Sequence, residues 1–256
     1  MFKHAIVRPP ASTYSMGLTT ADLGKPDMQI ALRQHAAYRQ ALQTCGLVLT
    51  ELPPDEHYPD STFVEDTAIL TERCAILTHP GAASRVGEVD AIRTVLKPFY
   101  NQIYTITAPG TLDGGDICDV DGHFLIGISD RTNEEGARQL ADFLAREGYP
   151  SSFVDIRRVP GILHLKSGIA YLGDGNLLVW KALFAHPLLE PYRKTIVPEQ
   201  EAYAANCVRV NDYVLVADGF PQVGNLVEKL GYRLVLLEMS EYQKMDGGLS
   251  CLSLRF

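Results

Sequence analysis

Apolar residues in this chain fall into short runs separated by turn-forming pairs, and the runs recur in a fixed order. Two strand-length runs flank Glu72-Arg73 within residues 66–78, helix-spaced apolar positions follow over 84–97, and a strand follows at 103–107. The next stretch repeats the order, with a hairpin over 117–128 turning at Asp121-Gly122, a helix over 133–147 and a strand over 153–159. A third copy starts at His164, with strands on either side of 173–176, a helix-like run from Lys181 and a strand at 195–197. A fourth starts at Asn206, turns at Asn211-Asp212, and continues with a helix over 222–230 and a strand over 233–237. The fifth is split between the ends of the chain: residues 251–256 form its first strand, and 4–8, the helix 28–45 and 48–52 supply the rest.

Anchored on Asp66, Asp116, His164, Asn206 and Cys251, the copies lie 50, 48, 42 and 45 residues apart. Repeats of that size mark propellers or arrays. An all-strand blade contains no helix, so ββαβ units predict a mixed α/β ring instead: a fivefold pseudosymmetric propeller closed by pairing the N- and C-terminal strands. No linker or low-complexity tract marks a boundary, and residues 1–256 are expected to form a single domain.

Composition narrows the function classes. The 256 residues are 46% hydrophobic, enough for a large core. No charge-poor apolar run is long enough for a bilayer, and Met1-Phe2-Lys3-His4 leads straight into a strand without signal-peptide features. A soluble cytoplasmic protein without a membrane partner is therefore expected. A net charge of −8 disfavours nucleic-acid binding, which needs a basic surface, and is compatible with a small cationic substrate. The five cysteines, at 45, 74, 118, 207 and 251, are scattered and show neither CxxC nor zinc-like spacing, which predicts reduced thiols and no structural metal.

In such a ring the polar residues that begin each unit's first strand converge on the axis. They are Glu65-Asp66, residues 113–116, His164, Asn206 and Cys251: a nucleophile, a base and several carboxylates. A lone cysteine is ordinarily a small buried hydrophobe, and a lone strand histidine ordinarily a hydrogen-bonded one. Their shared repeat position is what pairs Cys251 with His164. Cys251 also follows Gly247-Gly248, which lets backbone amides and a substrate come close. Such a pair needs a third group to orient the imidazole. Asp113 is nearest by repeat position, yet nothing in the sequence separates it from Asp116. Carboxylates at the axis call for a cation, and Asp66, Glu65 and Asp60 suit a guanidinium. Arg85 and Arg131, in loops after hairpins, are candidate clamps for a substrate carboxylate, and Gly17-Leu18 sits in a polar stretch suited to a lid, residues 11–25.

Taken together, these residues resemble the dimethylarginine dimethylaminohydrolases of the pentein, or guanidine-modifying, superfamily. The likeness runs from Phe2 to Phe256 and is carried by Asp60-Ser61-Thr62-Phe63-Val64-Glu65-Asp66, Pro80-Gly81-Ala82-Ala83-Ser84-Arg85, Leu112-Asp113-Gly114-Gly115-Asp116, Arg131-Thr132-Asn133, His164-Leu165-Lys166, Ala204-Ala205-Asn206-Cys207 and Asp246-Gly247-Gly248-Leu249-Ser250-Cys251. The resemblance implies the α/β propeller and hydrolysis of asymmetric dimethylarginine, and of monomethylarginine, to citrulline plus a methylated amine, with no metal or organic cofactor. It implies Cys251 as nucleophile, His164 as acid and base, and Asp113 as the orienting acid. Asp66, supported by Glu65, would hold the guanidinium, and Arg85 with Arg131 the carboxylate. Asp60, Leu18 and the main-chain carbonyl of Met245 would meet the α-amino end and the lid. Vertebrate relatives often carry a second cysteine directly after the nucleophile, where Leu252 stands here. The expected partner is a small methylated arginine, and the exposed ring faces leave room for a homodimer. Arginine deiminases and amidinotransferases look similar at the Cys, His and acid positions, but deiminases carry an inserted helical domain for which this chain has no room. A noncatalytic ribosome-binding factor with the same ring lacks the set.

Overall fold

The computed structural model describes all of residues 1–256. Numbered along the chain, β1 (His4–Val7) and β2 (Val48–Glu51) share a sheet with β15 (Leu254–Arg255). The other sheets follow in sequence: β3 (Ala68–Leu70), β4 (Ala75–Leu77) and β5 (Ile103–Thr105); β6 (Ile117–Val120), β7 (His123–Ile128) and β8 (Ser151–Asp155); β9 (Ile169–Gly173), β10 (Asn176–Trp180) and β11 (Arg193–Val197); β12 (Val208–Val210), β13 (Tyr213–Ala217) and β14 (Arg233–Leu237). In every sheet the central strand pairs antiparallel to one neighbour and parallel to the other. The antiparallel step needs only a tight turn, as at Asp121-Gly122, where both residues have positive φ (52° and 84°). The parallel step needs a crossover. It is supplied by α1 (Met28–Thr44), α2 (Val89–Leu96), α3 (Glu134–Arg146) and α5 (Pro221–Lys229), while the one-turn helices α4 (Leu165–Gly168) and α6 (Ser240–Gln243) lie elsewhere in the chain.

Local sequence sets these helices. The Asp27 carboxylate accepts the N–H groups of Gln29 and Ile30 at 2.8 and 3.1 Å, and the Asn133 side chain accepts that of Gly136 at 2.8 Å. Pro221 opens α5, where a missing N–H costs nothing.

The core is divided into five clusters, one between each pair of neighbouring sheets. Along β7, Phe124, Ile126 and Ile128 face the cluster shared with the preceding sheet and α3, whereas Leu125 faces the next. β13 divides likewise, Val214 and Val216 on one side, Leu215 and Ala217 on the other. Central strands are thus buried on both faces, which is why they read as unbroken apolar runs. Each crossover helix contributes its buried face to the cluster between its own sheet and the one before it.

Three expectations are corrected. The third crossover is no α-helix but two 3-10 turns, Lys181–Leu183 and Pro187–Leu189. Pro187 lacks an N–H and biases His186 away from helical geometry, yet Leu183 and Leu189 still fill the core. The strand expected at 153–159 starts two residues earlier and ends four earlier, at Ser151–Asp155. The axis-facing polar residues sit within or directly beside helical turns just ahead of each first strand rather than in the strands: Val64–Thr67, Gly114–Asp116, Leu165–Gly168, Glu199–Ala205 and Ser250–Leu252, with Asp113, His164 and Asn206 as flanking caps. A turn aims backbone N–H groups toward the axis, where the carboxylates need donors. No helix is long and apolar enough to cross a membrane.

Candidate active site

The segment at residues 113–116 is a close-packing device. A Cβ on Gly114 would lie 2.0 Å from the Glu65 carbonyl oxygen, and one on Gly115 2.7 Å from His164 Nδ1. With both glycines in place, the Gly115 N–H donates to Asp66 at 2.9 Å. Asp116 accepts the hydroxyls of Ser129 and Thr132 at 2.6 and 2.7 Å and the Leu165 N–H at 2.9 Å. It is thereby committed to holding α4, whose N-cap is His164. Asp113 accepts the Gly81 N–H at 2.8 Å through one oxygen, and its other oxygen lies 3.1 Å from His164 Nε2. The geometry thus separates two acids that the sequence left equivalent: Asp113 touches the imidazole, and Asp116 holds the turn that carries it.

His164 and Cys251 line one narrow cavity with Leu18, Asp60, Asp66, Arg85, Arg131 and Met245, walled by Phe63 and Leu163. Cys251 is the one cysteine that is not fully buried. Its Sγ accepts the Gly248 N–H at 3.4 Å. The preceding loop lies tight against its neighbours, since a Cβ on Gly247 would come within 2.3 Å of the Phe63 ring, and the Tyr203 hydroxyl holds the Gly247 carbonyl at 2.8 Å. Over the mouth, the Leu18 N–H is held by Asp60 at 3.0 Å, the Thr19 hydroxyl by the Lys244 carbonyl at 2.9 Å, and the Thr20 hydroxyl by Asp246 at 2.9 Å. The cavity measures about 30 Å³, room for one water, with residues 18–20 bonded across its mouth.

Charge is arranged around a protonated imidazole. Burial opposes the charge on His164, but Asp66, Asp113 and Asp116 outweigh it and raise its pKa to about 9. Burial also works against Asp66, yet His164 and Arg85 hold it down to about 2. Burial, followed by the negative charges of Glu65 and Asp66, pushes the Cys251 thiol up to about 12. By themselves these side chains therefore form an imidazolium, a carboxylate and a neutral thiol. Ligand atoms of Asp66, Asp113 and His164 lie within 4.8 Å of one another, as in a cation-binding group, but each carboxylate already serves N–H donors.

Two expected substrate contacts are placed differently. Glu65, next to Asp66 in the chain, is outside this cavity: it accepts the Ser250 hydroxyl at 2.6 Å and pairs with Lys166 Nζ at 2.6 Å. It faces a separate cavity of about 660 Å³ that runs along the axis, lined by the first strand of every sheet. Arg85 does line the site, but its guanidinium is largely occupied by Glu88 (3.0 and 2.8 Å), Asp66 (2.6 Å) and the Phe63 carbonyl (3.0 Å). One of its five N–H groups remains. Arg131 joins no ion pair and is the available cation of the cavity. Glu88 and Lys166 were not foreseen. The spacing of Glu88 three residues after Arg85 was the available signal for the first, and only the folded ring brings Lys166 to Glu65.

No family model matches the chain. It is 49% identical to N(G),N(G)-dimethylarginine dimethylaminohydrolase of Pseudomonas aeruginosa, over the whole of both chains. To the protein of the same name from Streptomyces coelicolor it is 33% identical, covering 99% of this chain and 96% of the other. The solved structure of the P. aeruginosa enzyme as a cysteine-to-serine variant complexed with citrulline matches over both entire chains, with a TM-score of 0.97 at 48% identity. The N-terminal domain of ArgZ, a cyanobacterial arginine dihydrolase, matches at a TM-score of 0.88 and 18% identity, covering 100% of this chain and 97% of that one, a likeness of fold alone.

Proposed function

The chain belongs to the dimethylarginine dimethylaminohydrolase family, and from that premise we propose how its own residues carry out the reaction. It hydrolyses dimethylarginine to citrulline, with dimethylamine as the other product; monomethylarginine, cleaved the same way, gives methylamine. The observation that carries the residue assignment is the buried Asp113–His164 pair sharing a cavity with Cys251, Asp66, Asp60 and Arg131. Asp66 suits the guanidinium, Asp60 and the Met245 carbonyl suit the α-amino group, and Arg131 suits the carboxylate, with Arg85 holding Asp66 in position.

In the resting site the nucleophile is a thiol and the imidazole is already charged, so His164 cannot take the thiol proton. The incoming guanidinium offsets the field of Asp66 and Glu65, and the proton leaves to solvent as the thiolate forms. Sγ then bonds to the guanidinium carbon. The tetrahedral adduct collapses by breaking the bond to the dimethylated nitrogen, which departs with a proton from His164. Neutral His164 next takes a proton from the water that adds to the thiouronium carbon, and as the C–S bond breaks the hydroxyl proton of the adduct passes to the departing sulfur, releasing citrulline and restoring the Cys251 thiol and the His164 imidazolium. Asp113 holds Nε2, leaving Nδ1 as the nitrogen that exchanges protons. Closure of the 11–25 segment keeps other water out during the first half of the cycle.

The test is product analysis. Wild-type protein incubated with dimethylarginine should yield citrulline and dimethylamine in equal amounts, and the Cys251→Ser variant should fold and yield neither. Equal turnover by that variant would overturn the nucleophile assignment.

A further inference from the structure

No residue between Asn206 and Leu237 lines the cavity, yet this part of the fourth repeat places one polar side chain behind it. Asn206 is 8% exposed, and its amide touches both halves of the site. Its Nδ2 donates to the Lys166 carbonyl at 3.1 Å, two residues after His164, and to the Ser250 hydroxyl at 3.1 Å. Its Oδ1 accepts the Ser250 N–H, directly before Cys251, at 2.9 Å. A backbone N–H can only donate and a backbone carbonyl only accept, so these two partners fix the orientation of the amide. The Ser250 hydroxyl continues to Glu65 at 2.6 Å, and Glu65 to Lys166 Nζ at 2.6 Å. The result is a closed circuit through the turns carrying Asp66, His164 and Cys251. The nucleophile loop also rests on this amide: a Cβ on Gly248 would lie 2.5 Å from Asn206 Cγ, and Gly248 supplies the N–H that meets Cys251 Sγ.

We propose that Asn206 is a positioning residue that fixes the Cys251 turn relative to the His164 helix, with Ser250 as its relay. The inference rests on the assignment of Cys251 as nucleophile. A displacement of the order of 1 Å at a reacting atom lowers turnover about a hundredfold while leaving distant substrate contacts intact. Asn206 would therefore act on kcat far more than on KM.

The experiment compares Asn206→Ala and Asn206→Asp with wild type for steady-state hydrolysis of dimethylarginine, alkylation of Cys251 by iodoacetamide across pH, and thermal midpoint. Asn206→Ala should lower kcat roughly 10- to 100-fold with KM changed less than about threefold, and should shift the alkylation profile. Asn206→Asp still accepts the Ser250 N–H but donates to Lys166 only when protonated. Its deficit relative to wild type should therefore shrink as pH falls. Should Asn206→Ala fail to fold, Ser250→Ala opens the same circuit from the other side and should lower kcat about 3- to 10-fold. Variants within twofold of wild type in kcat, with an unchanged alkylation profile and only a lower thermal midpoint, would overturn the proposal. Activity retained by Cys251→Ser would instead overturn the nucleophile assignment beneath it.

Discussion

Glu65 and Asp66 are consecutive carboxylates on one 3-10 turn, both nearly inaccessible, and they serve opposite faces of the ring. Asp66 looks into the closed cavity of about 30 Å³ with Cys251 and His164; Glu65 looks into the axial space of about 660 Å³ with Lys166 and Arg255. Glu65 already has cationic partners on its own side, so no ligand is needed to balance it. Asp66 shares Arg85 with Glu88 and lies beside an imidazolium, in a cavity where three carboxylates converge. We assign the chemistry to the small cavity because it gathers a partly reachable thiol, an imidazolium held by Asp113 and an arginine free of ion pairs, whereas the large cavity is a consequence of strands that meet around an axis. Size alone would have chosen the wrong face.

Substitution of the two neighbours is the strongest way to break this contrast. Asp66→Asn should lower kcat/KM for dimethylarginine by roughly 10²- to 10³-fold, since removing one partner of a buried charge pair costs about 3 kcal/mol or more. Glu65→Gln keeps an acceptor for Ser250 and should lose less than about tenfold. Equal losses at both positions in steady-state assays would erase the distinction between the faces. Arg131→Ala should come next. Loss of a charge-assisted contact to the substrate carboxylate, about 1.5–3 kcal/mol, should raise KM roughly 10- to 100-fold with a smaller change in kcat. An unchanged KM would move the carboxylate to the remaining N–H of Arg85.

The smallest effect is spectroscopic and concerns sign. A thiol pushed up to about 12 by burial and by Glu65 and Asp66 is neutral at physiological pH and ionises only as pH climbs well above it. Thiolate absorbance of wild type, less that of Cys251→Ser, should therefore rise only in alkaline solution. Adding a slowly reacting guanidinium ligand should move that rise to lower pH, because the cation offsets the carboxylates that suppress ionisation. A profile indifferent to the ligand would mean that the thiolate forms without substrate.

The repeat was legible because β4, β7, β10 and β13 are buried on both faces and bounded by turn pairs such as Asp121-Gly122, features that local sequence encodes. The axis-facing helical turns were not, since they have no apolar period and are held by distant partners, as when Asp116 takes the Leu165 N–H. Cys251, His164 and Asp113 could be named from repeat position and motif, but the choice between Asp113 and Asp116 needed the hydrogen bonds of each. The turn of Glu65 away from the small cavity was equally unreadable, because Lys166 lies about a hundred residues further along the chain. The pairing of Arg85 with Glu88 is the opposite case, a local i,i+3 contact that spacing along the chain encodes.

The central claim is that Cys251 bonds covalently to the substrate carbon. Acid quenching during steady-state turnover of dimethylarginine, followed by mass spectrometry of the digested protein, tests it directly. The peptide carrying Cys251 should gain the mass of the substrate less dimethylamine, with Cys45, Cys74, Cys118 and Cys207 unmodified. The adduct on any of those four, or full turnover by Cys251→Ser with no adduct formed, would contradict it.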